Sequence, residues 1–406
     1  MKLNIKLIIK RYGISLVLFA LVACGGGQAD SVPQASPLAV KLVETAKVET
    51  ATWHWDLPAG VPEPIVPNDN PMSEAKFQLG RSLFYDTRLS VNGIQSCASC
   101  HRQESAFTDN LQVSRGATGE FTPRNAQTLV NSAWRASYTW ARPDLTTLEQ
   151  QMMIPLFAEH PIEMGLTPQN QDAMLARLHL DAQITQQFAD AFPNEKAPMT
   201  ITNLIKAIAS FQRGLISFES KYDQSLQGKV NLNTEELRGQ QLFFSDQARC
   251  FRCHGSFNFD SQSQGLSQNL SSGSSVFQNT GLYNIDGAGG FPAPNRGLFE
   301  LTGNAADMGK FRIASLRNIA LTAPYMHDGS IASLEQVLDF YAAGGLVIST
   351  GVNAGDGRAN PYKSALVDGI VLNERDKQDL IAFLKTLTDE NLIRNPRLSD
   401  PYSAAH

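Results

Sequence analysis

Four of the five cysteines in this 406-residue chain stand in two five-residue patterns, Cys97-Ala98-Ser99-Cys100-His101 and Cys250-Phe251-Arg252-Cys253-His254. Cysteines three apart reach the two vinyl groups of one haem as thioethers, and the histidine that follows supplies the proximal ligand to its iron. A zinc site split over two Cys-x-x-Cys arms needs no histidine fixed after each second cysteine. A redox dithiol would follow a strand in a βαβ unit. Neither explains the same pattern twice, so the sequence predicts two covalent c-type haems, held by Cys97, Cys100 and His101 and by Cys250, Cys253 and His254.

The protein decides the sixth position of each iron. An electron-carrying haem has a strong ligand such as Met or His on both sides, whereas a catalytic haem leaves one side open. The chain has only seven histidines, His54, His101, His160, His179, His254, His327 and His406, and two of them are proximal ligands. Few remain for bis-histidine ligation, which disfavours a simple electron wire.

The elements that must position these groups read as mainly α. Residues 73–84 form an amphipathic pattern with Ser73 as N-cap, and residues 233–244 resemble it closely; both carry Gly three residues before Leu-Phe and both precede a haem motif. This weak duplication argues for two related domains. The helix glycine allows close approach of another helix or of the haem, or is simply tolerated. Residues 147–153, 168–214, 334–342 and 373–387 read as further helices, and the Gly-, Ser- and Asn-rich stretch 255–309 as a long loop around the second haem. Residues 53–72 carry five prolines and should run extended over a domain surface. The expected fold is two cytochrome c-like haem domains with long connecting loops, residues 53–225 and 226–395.

The N-terminus carries a basic stretch, a short apolar run from Ile14 to Leu21, and Leu21-Val22-Ala23-Cys24. This reads as a lipoprotein signal over residues 1–24, with Cys24 lipidated and residues 25–52 as a tether. The expected location is the periplasm or cell surface, anchored to the outer membrane. Lipid and haem then account for all five cysteines, and the net charge of -5 gives no reason to expect nucleic acid.

Around the haem motifs the chain resembles the bacterial di-haem cytochrome c peroxidase and MauG superfamily. The resemblance rests on Gly80-Arg81-Ser82-Leu83-Phe84, Pro123-Arg124-Asn125, His160-Pro161-Ile162-Glu163-Met164-Gly165, Leu316-Arg317-Asn318 and Leu321-Thr322-Ala323-Pro324-Tyr325-Met326-His327-Asp328-Gly329. The runs Trp55-Asp56-Leu57-Pro58, Val66 to Ser73 and Pro155 to His160 look like the MbnH branch, MauG-like enzymes that oxidise a tryptophan of a partner, MbnP, to kynurenine.

The resemblance implies roles residue by residue. The loop Arg115 to Glu120 contains no histidine where the peroxidase branch has a distal ligand, which implies a first haem open to hydrogen peroxide. Tyr341 stands where that branch has the second haem's methionine ligand, with Met308 and Met326 as rival ligands. Glu163 matches the distal carboxylate, which assists peroxide cleavage by moving a proton. Gln151 keeps the spacing of the donor that holds it, although two extra residues intervene, and His160 is a rival acid–base group. Trp140 matches the inter-haem relay, with Trp-Ala-Arg in place of Trp-Asp-Gly-Arg. Asn125, Thr322 and Pro324 match a calcium site. His327 is an expected haem-pocket residue.

The implied function is a MauG-like oxidase in which peroxide brings both irons near Fe(IV), and a docked MbnP-like protein then loses electrons over a long range. The alternatives are a di-haem peroxidase fed by a small cytochrome c or cupredoxin, and a non-catalytic electron-transfer lipoprotein.

Overall fold

The computed structural model describes residues 53–261 and 276–403. The expected signal, Cys24 and the tether lie outside the described residues.

The described chain is mainly helical. Its helices are α1 (Glu74–Tyr85), α2 (Leu148–Phe157), α3 (Gln171–His179), α4 (Ala182–Ala191), α5 (Ile201–Arg213), α6 (Lys221–Leu226), α7 (Thr234–Phe243), α8 (Phe251–His254), α9 (Phe299–Thr302), α10 (Leu334–Ala343), α11 (Glu374–Lys385) and α12 (Glu390–Arg394). Two short antiparallel ribbons complete it: β1 (Phe277–Gln278) with β2 (Phe311–Arg312), and β3 (Val347–Ile348) with β4 (Gly355–Asp356). The helical region expected over 168–214 contains three helices, α3, α4 and α5. Asp181 caps α4 by accepting from the backbone N–H groups of Gln183 and Ile184, while Pro193 and Pro198 separate α4 from α5.

The duplicated pattern is a duplicated packing unit. Ser73 caps α1 by accepting from Lys76 N–H, and Asn233 caps α7 in a capping box with Glu236. In α1, Phe77, Gly80, Leu83 and Phe84 fall on one buried face against α5. In α7, Gly239 and Phe243 do the same against α11. The rings repeat as well: Phe84 meets Phe107 and Phe211 in the first half, and Phe243 meets Phe259 and Phe383 in the second.

Of the two uses considered for the helix glycines, close approach of another helix is the one observed. A Cβ on Gly80 would lie 1.9 Å from the Ala207 carbonyl oxygen, and one on Gly239 would lie 1.9 Å from that of Asp379. Either methyl group would force the helix pair apart.

Each half has its own apolar core. The first runs from Phe77 to Leu215, and the second from Phe243 to Leu387 with Ala141. Leu392 and Leu398 return to the first core, where Tyr85 donates to the Leu398 carbonyl at 2.8 Å. The proline-rich segment forms no helix or strand, turns twice, with Val61 N–H donating to the Pro58 carbonyl and Asn70 N–H to that of Pro67, and is strapped to the first half. Trp134 Nε1 donates to the Pro62 carbonyl, and buried Lys76 donates to Asn70 Oδ1 and the Pro71 carbonyl.

Overpacking a close helix contact costs about 1–3 kcal/mol. Gly80→Ala should lower stability by about 3 kcal/mol, because backbone rather than a flexible side chain occupies the space. Urea unfolding followed by circular dichroism checks this; an unchanged midpoint would contradict the helix–helix account.

Candidate functional site

The two Cys-x-x-Cys-His segments sit in two cavities. The first, of about 480 Å³, is lined by Cys97, Cys100 and His101; the second, of about 260 Å³, by Cys250, Cys253 and His254. In both, the histidine is oriented in the same way. His101 Nδ1–H donates to the Phe107 carbonyl at 2.8 Å, and His254 Nδ1–H donates to the Phe259 carbonyl at 2.9 Å. A carbonyl only accepts, so these bonds fix the tautomer and leave Nε2 as the lone pair for a metal. Phe107 and Phe259 both take left-handed backbone, φ 61° and 53°, which turns their carbonyls toward the rings. Burial pushes both imidazoles toward the neutral form that ligates iron. None of the four cysteines forms a disulfide. The donor set fits one thioether-linked haem in each cavity.

The first cavity brings together the residues proposed for peroxide. Glu163 and Gln151 both line it, with Pro155 and Trp140. Glu163 is carried there by backbone pairing rather than by a helix. Met164 N–H donates to the Pro155 carbonyl and Leu166 N–H to that of Leu156, folding the segment back along the end of α2. The extra residues between Gln151 and Glu163 are absorbed in this return. No hydrogen bond joins the two side chains.

Burial alone pushes the Glu163 carboxyl up to about 7. His160 is exposed and does not line the cavity. The loop without a histidine is pinned beside Glu163: Ala117 N–H donates to the Glu163 carbonyl at 2.7 Å, and the Glu120 carboxylate accepts from Ile162 N–H at 3.1 Å. His101 is the sole histidine among the described residues lining this cavity.

In the second cavity Tyr341 comes from the last turn of α10 and lies in electrostatic reach of both Cys250 and Cys253. Its hydroxyl makes no hydrogen bond among the described residues. Of the rival ligands, Met326 lines this cavity and Met308 does not. His327 also lines it, stacked on Phe311 with ring centroids 3.6 Å apart.

The cavities share a wall. Asn125, Ala126, Gln127, Arg135 and Trp140 line both. Trp140 Nε1 donates to the Asn125 carbonyl at 2.9 Å, which fixes the indole within that wall. Asn125, Thr322 and Pro324 all line the second cavity. The Asn125 amide N–H donates to the Leu111 carbonyl at 2.7 Å.

Comparison with known proteins accounts for this paired architecture. Residues 74–231 match the family described as di-haem cytochrome c peroxidase. The methylamine utilization protein MauG of Methylorubrum extorquens is 30% identical over 377 residues, covering 92% of this chain and 95% of its own. The chain belongs to the di-haem cytochrome c peroxidase and MauG family. The cytochrome-c peroxidase IdrP1 of a Pseudomonas species is 35% identical over 378 residues, covering 88% of this chain and 93% of the relative. A solved MauG-like protein associated with microbial copper homeostasis superposes with a TM-score of 0.83 at 55% identity, over 86% of this chain and 99% of its own. The protein is thus a di-haem c-type oxidoreductase acting on peroxide, and a purely electron-carrying role is set aside.

Sequence reasoning missed Arg312, Gln127 and Arg135 in the cavity walls. Their place in the walls depends on burial and long-range pairing, which no local sequence pattern marks. The rival ligands of the second haem separate by substitution. Tyr341→Phe should shift that haem's absorption and its electron paramagnetic resonance signal, while Met326→Leu leaves both unchanged; the reverse pattern would make Met326 the ligand.

Proposed function

We propose that this enzyme uses hydrogen peroxide to oxidise a tryptophan on a docked, exported partner of the MbnP kind, ending in kynurenine. The observation that carries the reading is Tyr341, an oxygen donor that lines the cavity of His254; by the resemblance, the peroxidase branch has methionine at this position. A hard anionic donor favours the oxidised metal, so this site suits holding oxidising charge rather than admitting electrons. The 55% identical structure associated with copper homeostasis supports the same branch.

When bound, the haems supply the oxidising equivalents taken from peroxide. The chain's residues handle protons and placement. The Glu163 carboxylate accepts a proton from peroxide at the first haem and returns it to the departing oxygen. Its pKa near 7 places both steps within reach at neutral pH. Trp140 carries charge between the cavities it lines. Ring opening of the partner's tryptophan to N-formylkynurenine takes four electrons, the capacity of two peroxides, and hydrolysis then releases formate. Asn125, Thr322 and Pro324 hold a calcium ion beside this wall, a hard cation suited to amide and carbonyl oxygen. A lipid on Cys24 tethers the enzyme in the periplasm or at the cell surface.

Peroxide added to the diferric enzyme should give a long-lived near-infrared charge-resonance band. Adding the partner should discharge it and leave kynurenine in the partner's peptides by mass spectrometry. Rapid turnover only with a reduced small cytochrome c or cupredoxin would instead establish the peroxidase alternative.

Glu163→Gln should slow the peroxide step about 100-fold. Because the carboxylate is the acceptor, the wild-type rate should rise with pH through about 7 and flatten above it. The variant's rate should be flat across this range. A wild-type profile with no inflection there would remove Glu163 from the proton transfer.

A further inference from the structure

Arg312 is 3% exposed and forms no ion pair among the described residues, yet it lines the cavity of Cys250, Cys253 and His254. Most of its donors are used within the wall. Nε donates to the Thr139 carbonyl at 2.9 Å, Nη2 to Gln127 Oε1, and the backbone N–H to the Trp140 carbonyl at 2.8 Å. Nη1 has no protein partner. Two other buried polar atoms on the same cavity lining, Gln127 Nε2 and His327 Nε2, are also unpartnered.

A buried guanidinium with no ion pair and an unpartnered N–H is destabilising unless a further acceptor completes it. The group that fills this cavity is a haem c, and each haem c brings two carboxylates. Arg is the residue suited to them, with a planar fork that stays charged. The protein's own field sharpens the need: burial, and after it repulsion from Arg135, pushes the Arg312 guanidinium down to about 9, only partly offset by Asp260.

We propose that Arg312 binds a propionate of the haem attached at Cys250 and Cys253, and so ties that haem to the backbone of Thr139 and Trp140. The carboxylate supplies the missing counter-charge, and Gln127 Nε2 offers it a second donor. Arg312 is then a positioning residue. One side of its guanidinium holds the cofactor and the other holds the segment that places the indole between the cavities.

The test is spectroelectrochemical titration of Arg312→Gln, with two haems per chain verified by pyridine haemochrome. A cation beside the haem stabilises its reduced form, so its loss should shift the second haem's midpoint potential downward. Arg312→Lys, which keeps the charge, should recover most of that shift. An unchanged potential in the fully loaded Gln variant would overturn the proposal. If the Gln variant does not load both haems, electron density of the haem-loaded wild type decides. A haem carboxylate within hydrogen-bond distance of Nη1 is the expected result, and a water or protein oxygen in its place would refute the assignment.

Discussion

The hydrogen bond from the Trp140 indole to the Asn125 carbonyl lies in the wall that the two cavities share. What holds that wall comes from both halves of the chain. Arg312, on β2 in the second half, donates to the carbonyls of Thr139 and Trp140 in the first. Asn125 N–H donates to the His327 carbonyl at 2.9 Å. These bonds end on backbone carbonyls and are partly buried, so breaking one leaves a partly desolvated group without a partner, a loss of about 1 kcal/mol. The wall between the two cavities is therefore held by bonds that join the two halves of the chain.

The halves are built alike and end unlike. Each uses a helix glycine against a partner helix, a cluster of phenylalanines, and a left-handed phenylalanine whose carbonyl orients the proximal histidine. This shared frame fixes the proximal side of both irons. The distal sides then diverge. One cavity presents Glu163, pinned between the end of α2 and the loop at Ala117, and the other presents Tyr341 at the end of α10. A common scaffold thus carries two cavities whose linings differ, one with a carboxyl at Glu163 and the other with a phenol at Tyr341.

Much of this was legible in residue spacing. The Cys-x-x-Cys-His pairs announced the haems, and the glycines at 80 and 239 announced the repeated helix because only glycine permits so close a backbone contact. Glu163, Trp140 and Tyr341 were found through resemblance, and the fold places each on a cavity wall with the expected histidine. What spacing could not show depends on long-range pairing. The return of the Glu163 segment rests on bonds from Met164 and Leu166 to the carbonyls of α2, which carry no side-chain signature. The clamp by Arg312 joins residues more than 170 positions apart, the Arg312–Thr139 separation being 173. The divisions within 168–214 fall at Asp181, Pro193 and Pro198, cap and breaker residues that the sequence itself displays.

The central claim is that the two haems act as one redox unit through the shared wall. Freeze-quenched electron paramagnetic resonance after a single equivalent of peroxide tests it most directly. Loss of both ferric haem signals in parallel is the predicted result, with Trp140→Phe uncoupling the two. Loss of the His101 haem signal alone in the wild-type enzyme, with the His254 haem signal intact, would contradict the account.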